Sequence, residues 1–319
     1  MIEKKKRHHY VQQGYLKEWA SEAGTVFCMM DRNRVFPVGT TNVAVEKDFN
    51  RVGIYTVHDK RVAQWLLVEQ CHESLRPAAS EWLKVVFTPG HVAEEVTRRH
   101  PADPDVATIA DAMLQNGHED IHGRIEDLGA PFLDRLRNGD MTFIDDDDID
   151  ACFRFLFFIA LQGRRTRSSQ EDFRRAVDML KDEHPQVATA DFGRLFMAAS
   201  FVWAGNIARS LAETRNALRI ELLEAPNGRP FVTSDCPITN IAADGVTAPE
   251  HLVFFYPLSP ASGLLLGDKG RPGRYRRPAT SDEVDILNGH IANAAHAQVY
   301  ANEEESLIRL RRQPSGPPV

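Results

Sequence analysis

The sequence predicts an α+β fold, in which an antiparallel sheet formed from N- and C-terminal strands packs on a helical middle region. Strand-like segments are confined to residues 1–58 and 214–302, whereas residues 59–213 follow the spacing of buried helices. No internal repeat is visible. We therefore expect residues 1–312 to form a single composite domain, followed by a disordered tail over residues 313–319.

The N-terminal part contains one clear hairpin signal. The strand-like stretch GTVFCMM is followed by the polar turn DRNR and then by VFPV. Two apolar runs separated by a short polar segment are typical of antiparallel strands joined by a turn. The sequence therefore predicts a β-hairpin here.

Helical spacing begins at Asp59. In DKRVAQWLLVEQCHESL, Val62, Trp65, Leu66 and Glu69 fall on one stripe of a helix. Breaks at HPADPD, RNGDMTFIDDDD and DEHPQ separate several of the later helices. These helices are predicted over residues 105–116, 121–138, 146–163, 169–183 and 189–213.

Strand signals return after Thr214. The stretches ALRIELLEA and RPFVTS flank the turn PNG and predict a second hairpin. Further strands are predicted at HLVFFYPLS and SGLLLGD. A capped helix, SDEVDILNGHIANAAHA, then precedes a last strand, QVYAN. The strands from both ends of the chain are expected to meet in one sheet.

Charge and composition narrow the class of protein. The 319-residue chain has a formal net charge of −7, which argues against a generally basic protein that coats nucleic acid. Its four scattered cysteines form no CxxC pair, as is typical of a reduced, intracellular chain. The most apolar run, Phe153 to Leu161, is too short to span a bilayer and contains Arg154. We expect a cytoplasmic protein without membrane contact.

Six polar residues interrupt faces that should be buried. They are Glu69, Gln162, Arg165, Asn206, Asp235 and Asn288. A buried charge costs on the order of several kcal/mol unless it is paired, so the charged members need partners or a cleft. Two alternatives follow: a satisfied network that ties the helices to the sheet, or a functional cleft.

Two adjacent histidines, His8 and His9, follow the basic stretch KKKR. If HHYV is extended, the two imidazoles point to opposite faces, so at most one of them faces a given site. Neutral histidine can bind a metal ion or act as a base near pH 7. Glu69 and Asp235 would then supply metal ligands or a proton acceptor. The alternative is an exposed histidine pair that continues a basic arm.

The stretch HEDIH, residues 118–122, matches the HExxH pattern of zinc proteases, in which two histidines one helical turn apart bind zinc. Its surroundings are unfavourable, because Gly117 and Gly123 weaken a helix at that point. Glu126 or Asp127 could supply a third ligand. We do not expect a zinc protease.

The ordered set of motifs resembles a bacterial family, domain of unknown function forty-two thirty-eight. Members open with an HHYVPQFYL-like stretch, here HHYVQQGYL, and the resemblance continues through AVEKDFN, LQGRRT, FVTSDCP, FYPLSP and ILN. Gln12 stands where the family has proline, and Gly14 where it has an aromatic residue. The resemblance implies an architecture and candidate positions but no reaction. The family's motifs contain most of the polar residues that interrupt the apolar faces.

Together these observations lead us to expect a hydrolase of phosphate-containing substrates, similar to a nuclease or phosphodiesterase. The predicted catalytic residues are His8, His9, Glu69 and Asp235. The predicted substrate-binding residues are Gln162, Arg165 and Asn288, with the guanidinium of Arg165 clamping phosphate. A divalent metal ion is the candidate cofactor, and nucleic acid or a nucleotide the candidate partner. The basic arm, Lys4 to Arg7, would hold a polyanion at the mouth of the site.

The alternative is a non-catalytic ligand-binding or regulatory protein, such as a component of a defence or toxin system. The two hypotheses differ in what Asp235→Asn should do. In an enzyme, this change would remove activity and leave stability unchanged. In a structural network, it would leave a buried partner unpaired and lower the stability.

Overall fold

A computed structural model describes residues 3–145, 149–243 and 250–312 of the chain. The tail predicted to be disordered, residues 313–319, lies outside the described residues, as do the first three residues of the helix predicted over 146–163. The expectation of one composite domain stays a prediction.

The N-terminal part contains the predicted hairpin and two short outer strands. The strands are β1 (Arg7–His9), β2 (Thr25–Met30), β3 (Arg34–Gly39) and β4 (Val45–Lys47). β2 pairs antiparallel with β3, and β1 pairs antiparallel with β4. Asp31 and Arg32 adopt left-handed backbone conformations in the turn, with φ angles of 50° and 55°. The predicted hairpin is confirmed.

Helices dominate the middle of the chain and recur near its end. They are α1 (Gln13–Leu16), α2 (Val57–Gln64), α3 (Arg76–Arg99), α4 (Pro104–Arg137), α5 (Thr142–Asp145), α6 (Ile149–Arg164), α7 (Arg167–Leu180), α8 (Phe192–Glu213), α9 (Ser281–Ala294) and α10 (Glu304–Arg312). A π-helical segment, Trp65–Glu69, follows α2 directly.

One predicted break in the helical region is wrong. Residues 105–116 and 121–138 were expected to form two helices, but α4 runs without interruption across the glycines at 117 and 123. A Cβ atom on Gly117 would lie 2.7 Å from the Cβ of Pro89. The glycine therefore allows close approach of α3 to α4, and this packing outweighs its low helix propensity.

The C-terminal strands pair differently from the predicted order. They are β5 (Arg219–Glu224), β6 (Thr233–Ser234), β7 (Thr239–Asn240), β8 (Val253–Ser259), β9 (Ser262–Gly267), β10 (Gly273–Pro278) and β11 (Gln298–Ala301). The hairpin expected across the PNG turn is wrong, because β5 pairs with β9 and β10, whereas β6 pairs with β11. The adjacent strands β8 and β9 do pair antiparallel.

Within the described residues the strands form three sheets rather than the single sheet expected. N- and C-terminal strands meet in a four-stranded antiparallel sheet of order β3-β2-β11-β6. A five-stranded sheet of order β10-β5-β9-β8-β7 contains one parallel pair, β10 with β5. The third is the β1-β4 pair. The α+β class, with antiparallel sheets from both ends and a helical middle, is confirmed.

Helices α6 and α8 form the centre of the larger apolar core. Trp82 of α3 stacks on Phe157 of α6, with ring centroids 4.5 Å apart, and reaches α8 where Gly205 leaves room. By length and composition α8 is also the one described helix that could cross a membrane, but its side chains are mostly buried in this core. Core helices share these properties, and the expected absence of membrane contact stays a prediction.

Candidate functional site

His8 lies in β1 and is buried, and the catalytic role predicted for it stays a prediction. Its Nε2 donates to the backbone carbonyl of Lys5 at 2.6 Å, and its Nδ1 accepts from the amide of Asn50 at 2.8 Å. A ring nitrogen that accepts carries no proton, so these contacts assign the neutral tautomer with hydrogen on Nε2. Both ring nitrogens are engaged, and His8 ties the N-terminal arm to the segment before α2.

His9 turns to the other face of the extended strand and is partly exposed. Its Nε2 is buried and has no hydrogen-bond partner in the part of the chain that the structure describes. Burial lowers the pKa of His9; the charge of Glu119 opposes this, and the charges of Arg7 and Arg165 add to it. His9 is therefore neutral near pH 7 and lies beside Glu119 and Arg165.

Gln162 and Arg165, at the end of α6, are almost fully buried, with 2% and 1% of their surfaces exposed. Arg165 forms an ion pair with Glu126 of α4, whose side chain is 20% exposed. Three nitrogens, Nε2 of Gln162 and both Nε and Nη2 of Arg165, still lack an aligned hydrogen bond among the described residues. Gln162 lies one helical turn before Arg165, and the charge of Arg165 acts on His9; the shared site predicted for these residues stays a prediction.

The HEDIH segment of α4 does not form a zinc site; it contributes the carboxylate of Glu119 near His9 and Arg165. Glu119 accepts from Nδ2 of Asn50 at 2.7 Å. His118 and His122 are buried on another face of the helix. Nε2 of His118 donates to the carbonyl of Val86 at 3.0 Å. No three His, Cys, Asp or Glu side chains within the described ranges converge to hold a metal ion, so nothing here fits the candidate metal cofactor.

We call His9, Glu119, Glu126, Gln162 and Arg165 the His9 cluster. Its one guanidinium and two carboxylates give a formal net charge of −1, because His9 is neutral. A phosphate group would meet more negative than positive charge there. The phosphate clamp assigned to Arg165 therefore stays a prediction that the charge balance does not favour.

Glu69 was expected on a buried face, and this expectation is wrong: the residue is exposed. The prediction counted α-helical spacing from Trp65 and Leu66, but Trp65–Glu69 is a π-helical turn with i→i+5 hydrogen bonding, so that spacing does not apply to Glu69. The wider turn rotates Glu69 away from the face that the apolar residues share. Its backbone carbonyl accepts from Arg76 at 3.1 Å.

Asp235 is buried, as predicted, but its carboxylate binds the backbone of its own chain. Its Oδ1 accepts from the amide of His296 at 2.9 Å, and its Oδ2 accepts from the amides of Ala297 and Gln298 at 2.8 and 2.9 Å. Burial raises the pKa of Asp235, and the three amides oppose that shift. The carboxylate fixes the entry to β11.

Asn288 is buried and joins α9 to the strand region. Its Oδ1 accepts from the amide of Val232 at 2.9 Å, and its Nδ2 donates to the carbonyl of Pro230 at 3.0 Å. These contacts account for a buried polar residue at this position. The catalytic and binding roles predicted for Asp235 and Asn288 stay predictions.

The basic arm lies along α4 instead of extending into solvent. Lys4 pairs with Asp111 at 2.6 Å, and Lys5 pairs with Asp120 at 2.7 Å. Arg7 donates to a backbone carbonyl in the turn before β4. Much of the charge expected to hold a polyanion is thus already balanced within the chain.

A cavity of about 550 Å³, open to solvent, is lined by residues of α6, α7, α8, α9 and the five-stranded sheet. Most of its wall is apolar, from side chains such as Leu156, Ile159 and Phe254. Cys236 also lines it, and burial raises the pKa of that thiol to about 11, so it is not a thiolate at neutral pH. We call this space the Arg164 cavity after its most unusual residue.

Arg164 is the next-to-last residue of the motif segment LQGRR and lines the cavity. No hydrogen bond or ion pair joins its guanidinium to any described residue, and Arg164 is only partly exposed. Burial lowers the pKa of Arg164, while the charges of Asp172 and Cys236 oppose this. Asp172 and Cys236 also line the cavity, and Arg164 lines a second, smaller pocket beside Trp203 and Asn206 as well. An arginine remains charged in proteins, so Arg164 brings to the cavity a cation that no described residue pairs.

Sequence reasoning selected Arg165 and missed Arg164, its neighbour. Helical spacing placed Arg165 on the face of Phe158 and Ile159 and left Arg164 unassigned. The available signal was the motif itself, since two consecutive arginines on a helix lie about 100° apart and point in different directions.

A family model described as "Protein of unknown function (DUF4238)" matches residues 7–305. This span includes both the His9 cluster and the Arg164 cavity. Searches of curated proteins and of solved structures returned no match. The match covers nearly the whole chain and confirms the resemblance carried by the ordered motifs: the chain belongs to DUF4238, a family of proteins of unknown function.

Proposed function

We propose that this chain binds a small organic anion in the Arg164 cavity, and that Arg164 supplies the counter-charge. The supporting observation is a guanidinium that has no hydrogen bond or ion pair among the described residues and lines a mostly apolar space. A cation beside an apolar wall attracts an anion more strongly than it would in open water, because the surrounding medium is less polar.

The surrounding charges favour an anion over a cation. The nearest carboxylate on the cavity wall, Asp172, forms an ion pair with Arg175 on the next turn of α7. Asp172 therefore compensates Arg164 only in part, and no ion pair joins the two. A guanidinium can present two parallel N–H groups to a carboxylate or phosphate, which gives both attraction and orientation.

This proposal develops the ligand-binding alternative and retains the expected substrate class. A phosphate-containing compound, including a nucleotide, is one kind of small organic anion, and Arg164 rather than Arg165 would bind its phosphate. A role in a defence or toxin system stays a prediction.

The test compares Arg164→Gln with Arg154→Gln, which removes an exposed arginine from the same helix. Calorimetric titration with inorganic phosphate, a nucleoside monophosphate, an alkyl phosphate and an alkyl carboxylate should reveal binding to the wild type. Arg164→Gln should weaken that binding by about 10- to 100-fold, the range for a hydrogen bond to a charged group. Arg154→Gln should bind as the wild type does.

The stability of the unliganded variants provides the second readout. Arg164→Gln should not lower the urea midpoint, because it removes a cation that has no partner to lose. A clear loss of stability would mean that Arg164 is structural. Wild-type protein that binds none of the four anions, or an Arg164→Gln variant that binds them equally well, would also refute the proposal.

Hydrolysis of a phosphate-containing compound is a second candidate function, supported by the imidazole of His9 although the net charge of the His9 cluster does not favour phosphate. A neutral imidazole with an unpartnered Nε2 can accept a proton from water, and it lies beside Arg165 and Glu119. DNA, RNA and a simple phosphodiester would be incubated with the protein, with and without Mg²⁺, Mn²⁺ or EDTA. Cleavage lost in His9→Asn and kept in His91→Asn, an exposed control, would support hydrolysis. No cleavage by the wild type would eliminate it.

A further inference from the structure

We infer that the ligand of the Arg164 cavity is an amphiphile: an acidic head group on Arg164 and an alkyl or aromatic body against the apolar walls. This inference rests on the proposed function and adds the chemistry of the part of the ligand that the arginine does not contact. Carboxylate and phosphate head groups share the chemistry that Arg164 recognises.

The apolar wall comes from two helices and two adjacent strands. Its main side chains are Leu156, Ile159, Ile207, Leu211, Phe254 and Leu266. Ile207 and Phe254 are only partly buried although they lie beside the core, so the cavity exposes apolar surface to solvent. Covering such surface is favourable in proportion to its area, and a hydrocarbon body would do so.

The polar residues on the wall are largely committed to the protein itself. Oδ1 of Asn240 accepts from the amides of Ala242 and Val253 at 3.2 and 2.8 Å. Oδ1 of Asn293 accepts from Arg32 at 2.9 Å. A sugar or nucleobase would therefore find few free partners there, and its own polar groups would lose their water without compensation.

The polar groups on the wall that remain free favour a ligand with a single acidic head group. Ser168, in the first turn of α7, lies four residues after Arg164, and its hydroxyl has no partner among the described residues. Both side chains line the cavity. His290 of α9 also lines it, and burial lowers the pKa of this imidazole, so it adds no second cation at neutral pH. The head group therefore belongs at the junction of α6 and α7.

Two homologous series test the inference with the full chain: n-alkyl carboxylates and n-alkyl phosphates of increasing length, titrated by calorimetry. Each added methylene that enters the cavity should tighten binding about fourfold, until the apolar wall is covered. A nucleoside monophosphate and a sugar phosphate, which carry the same head group on a polar body, should bind more weakly than the alkyl phosphates.

Two variants locate the body of the ligand. Ala160→Leu adds a side chain from α6 into the cavity, so binding should stop improving at a shorter chain while the shortest ligands are unaffected. Ala107→Leu adds the same side chain on an exposed part of α4 and should leave the series unchanged. If Ala160→Leu does not fold, Ile207→Thr replaces apolar wall by a hydroxyl and should weaken the long-chain ligands about tenfold.

The outcomes separate this inference from the proposed function. The amphiphile is supported if affinity rises with chain length in either series and if, in Ala160→Leu, it stops rising at a shorter chain. Anion binding without dependence on chain length, or tighter binding of the nucleotide or sugar phosphate, would overturn the inference while the proposed function stands. Failure of every anion to bind would refute both.

Discussion

The contacts of Asp235 make the structural alternative for this residue directly testable. Asp235→Ala removes an acceptor from three backbone amides at the entry to β11, all of which bond to the carboxylate at 2.8 to 2.9 Å. Asp235→Asn keeps the shape but replaces one accepting oxygen by an N–H donor. The two variants therefore remove different numbers of hydrogen bonds, and Asp235→Ala should lose more stability than Asp235→Asn.

The expected loss of stability follows from the number of amides that are left without an acceptor. A buried amide without a partner costs about 1–3 kcal/mol, and because these three bonds are only partly buried, their loss in Asp235→Ala would cost roughly 3–6 kcal/mol. Burial of the carboxylate opposes its ionisation, as its raised pKa indicates, and removing it recovers part of that cost. We expect a net loss of about 4 kcal/mol for Asp235→Ala and about 2 kcal/mol for Asp235→Asn, in which one amide is orphaned.

Urea unfolding followed by circular dichroism measures these losses, and hydrogen exchange locates them. The amides of His296, Ala297 and Gln298 should lose protection before the rest of the sheet. Asp127→Asn, at an exposed position of α4, is the control and should change stability by less than about 0.5 kcal/mol. If Asp235→Asn were as stable as the wild type and yet lost ligand binding or hydrolysis, the structural reading would be refuted.

Two further predictions concern α4. Burial lowers the pKa of His118 in the folded protein to about 4. Below pH 6.5 the unfolded chain therefore binds more protons than the folded one, so stability decreases as the pH is lowered. This residue alone should lower the free energy of unfolding by about 3 kcal/mol between pH 7 and pH 4. Urea midpoints across that range should decline less in His118→Gln, and an equal decline would contradict the assignment. A Cβ on Gly129 would lie 2.2 Å from Phe158, so Gly129→Ala should destabilise by about 1–3 kcal/mol. Gly123→Ala meets no atom within 4 Å and should stabilise by about 0.5–1 kcal/mol; similar urea midpoints for the two variants would show that close packing does not govern Gly129.

Elements with local signals could be predicted from the sequence. The β2–β3 hairpin was visible because its strands are joined by a short polar turn, and α9 because Thr280 caps it by accepting from the amide of Glu283 at 3.1 Å. The burial of Asp235 and Asn288 followed from their spacing relative to apolar neighbours. In each case the information lies within a few residues of the chain.

Features that depend on distant partners could not be predicted. The pairing of β6 with β11 joins segments about sixty residues apart, and nothing near the PNG turn indicates it. Glu69 was misplaced because a π-helical turn alters the spacing that the argument assumed. The acceptors that satisfy His8 come from Lys5 and Asn50, and only the folded arm brings them together.

The two arginines of LQGRRT lie at the same helix end but in different electrostatic surroundings. Arg165 is paired with Glu126 on the side of α4. Arg164 faces a mostly apolar cavity without a partner among the described residues. A buried ion pair can hold α6 to α4, whereas an unpaired guanidinium has no such structural partner. An anion bound in the cavity would pair with Arg164, so we propose Arg164 rather than Arg165 as the residue that contacts the ligand.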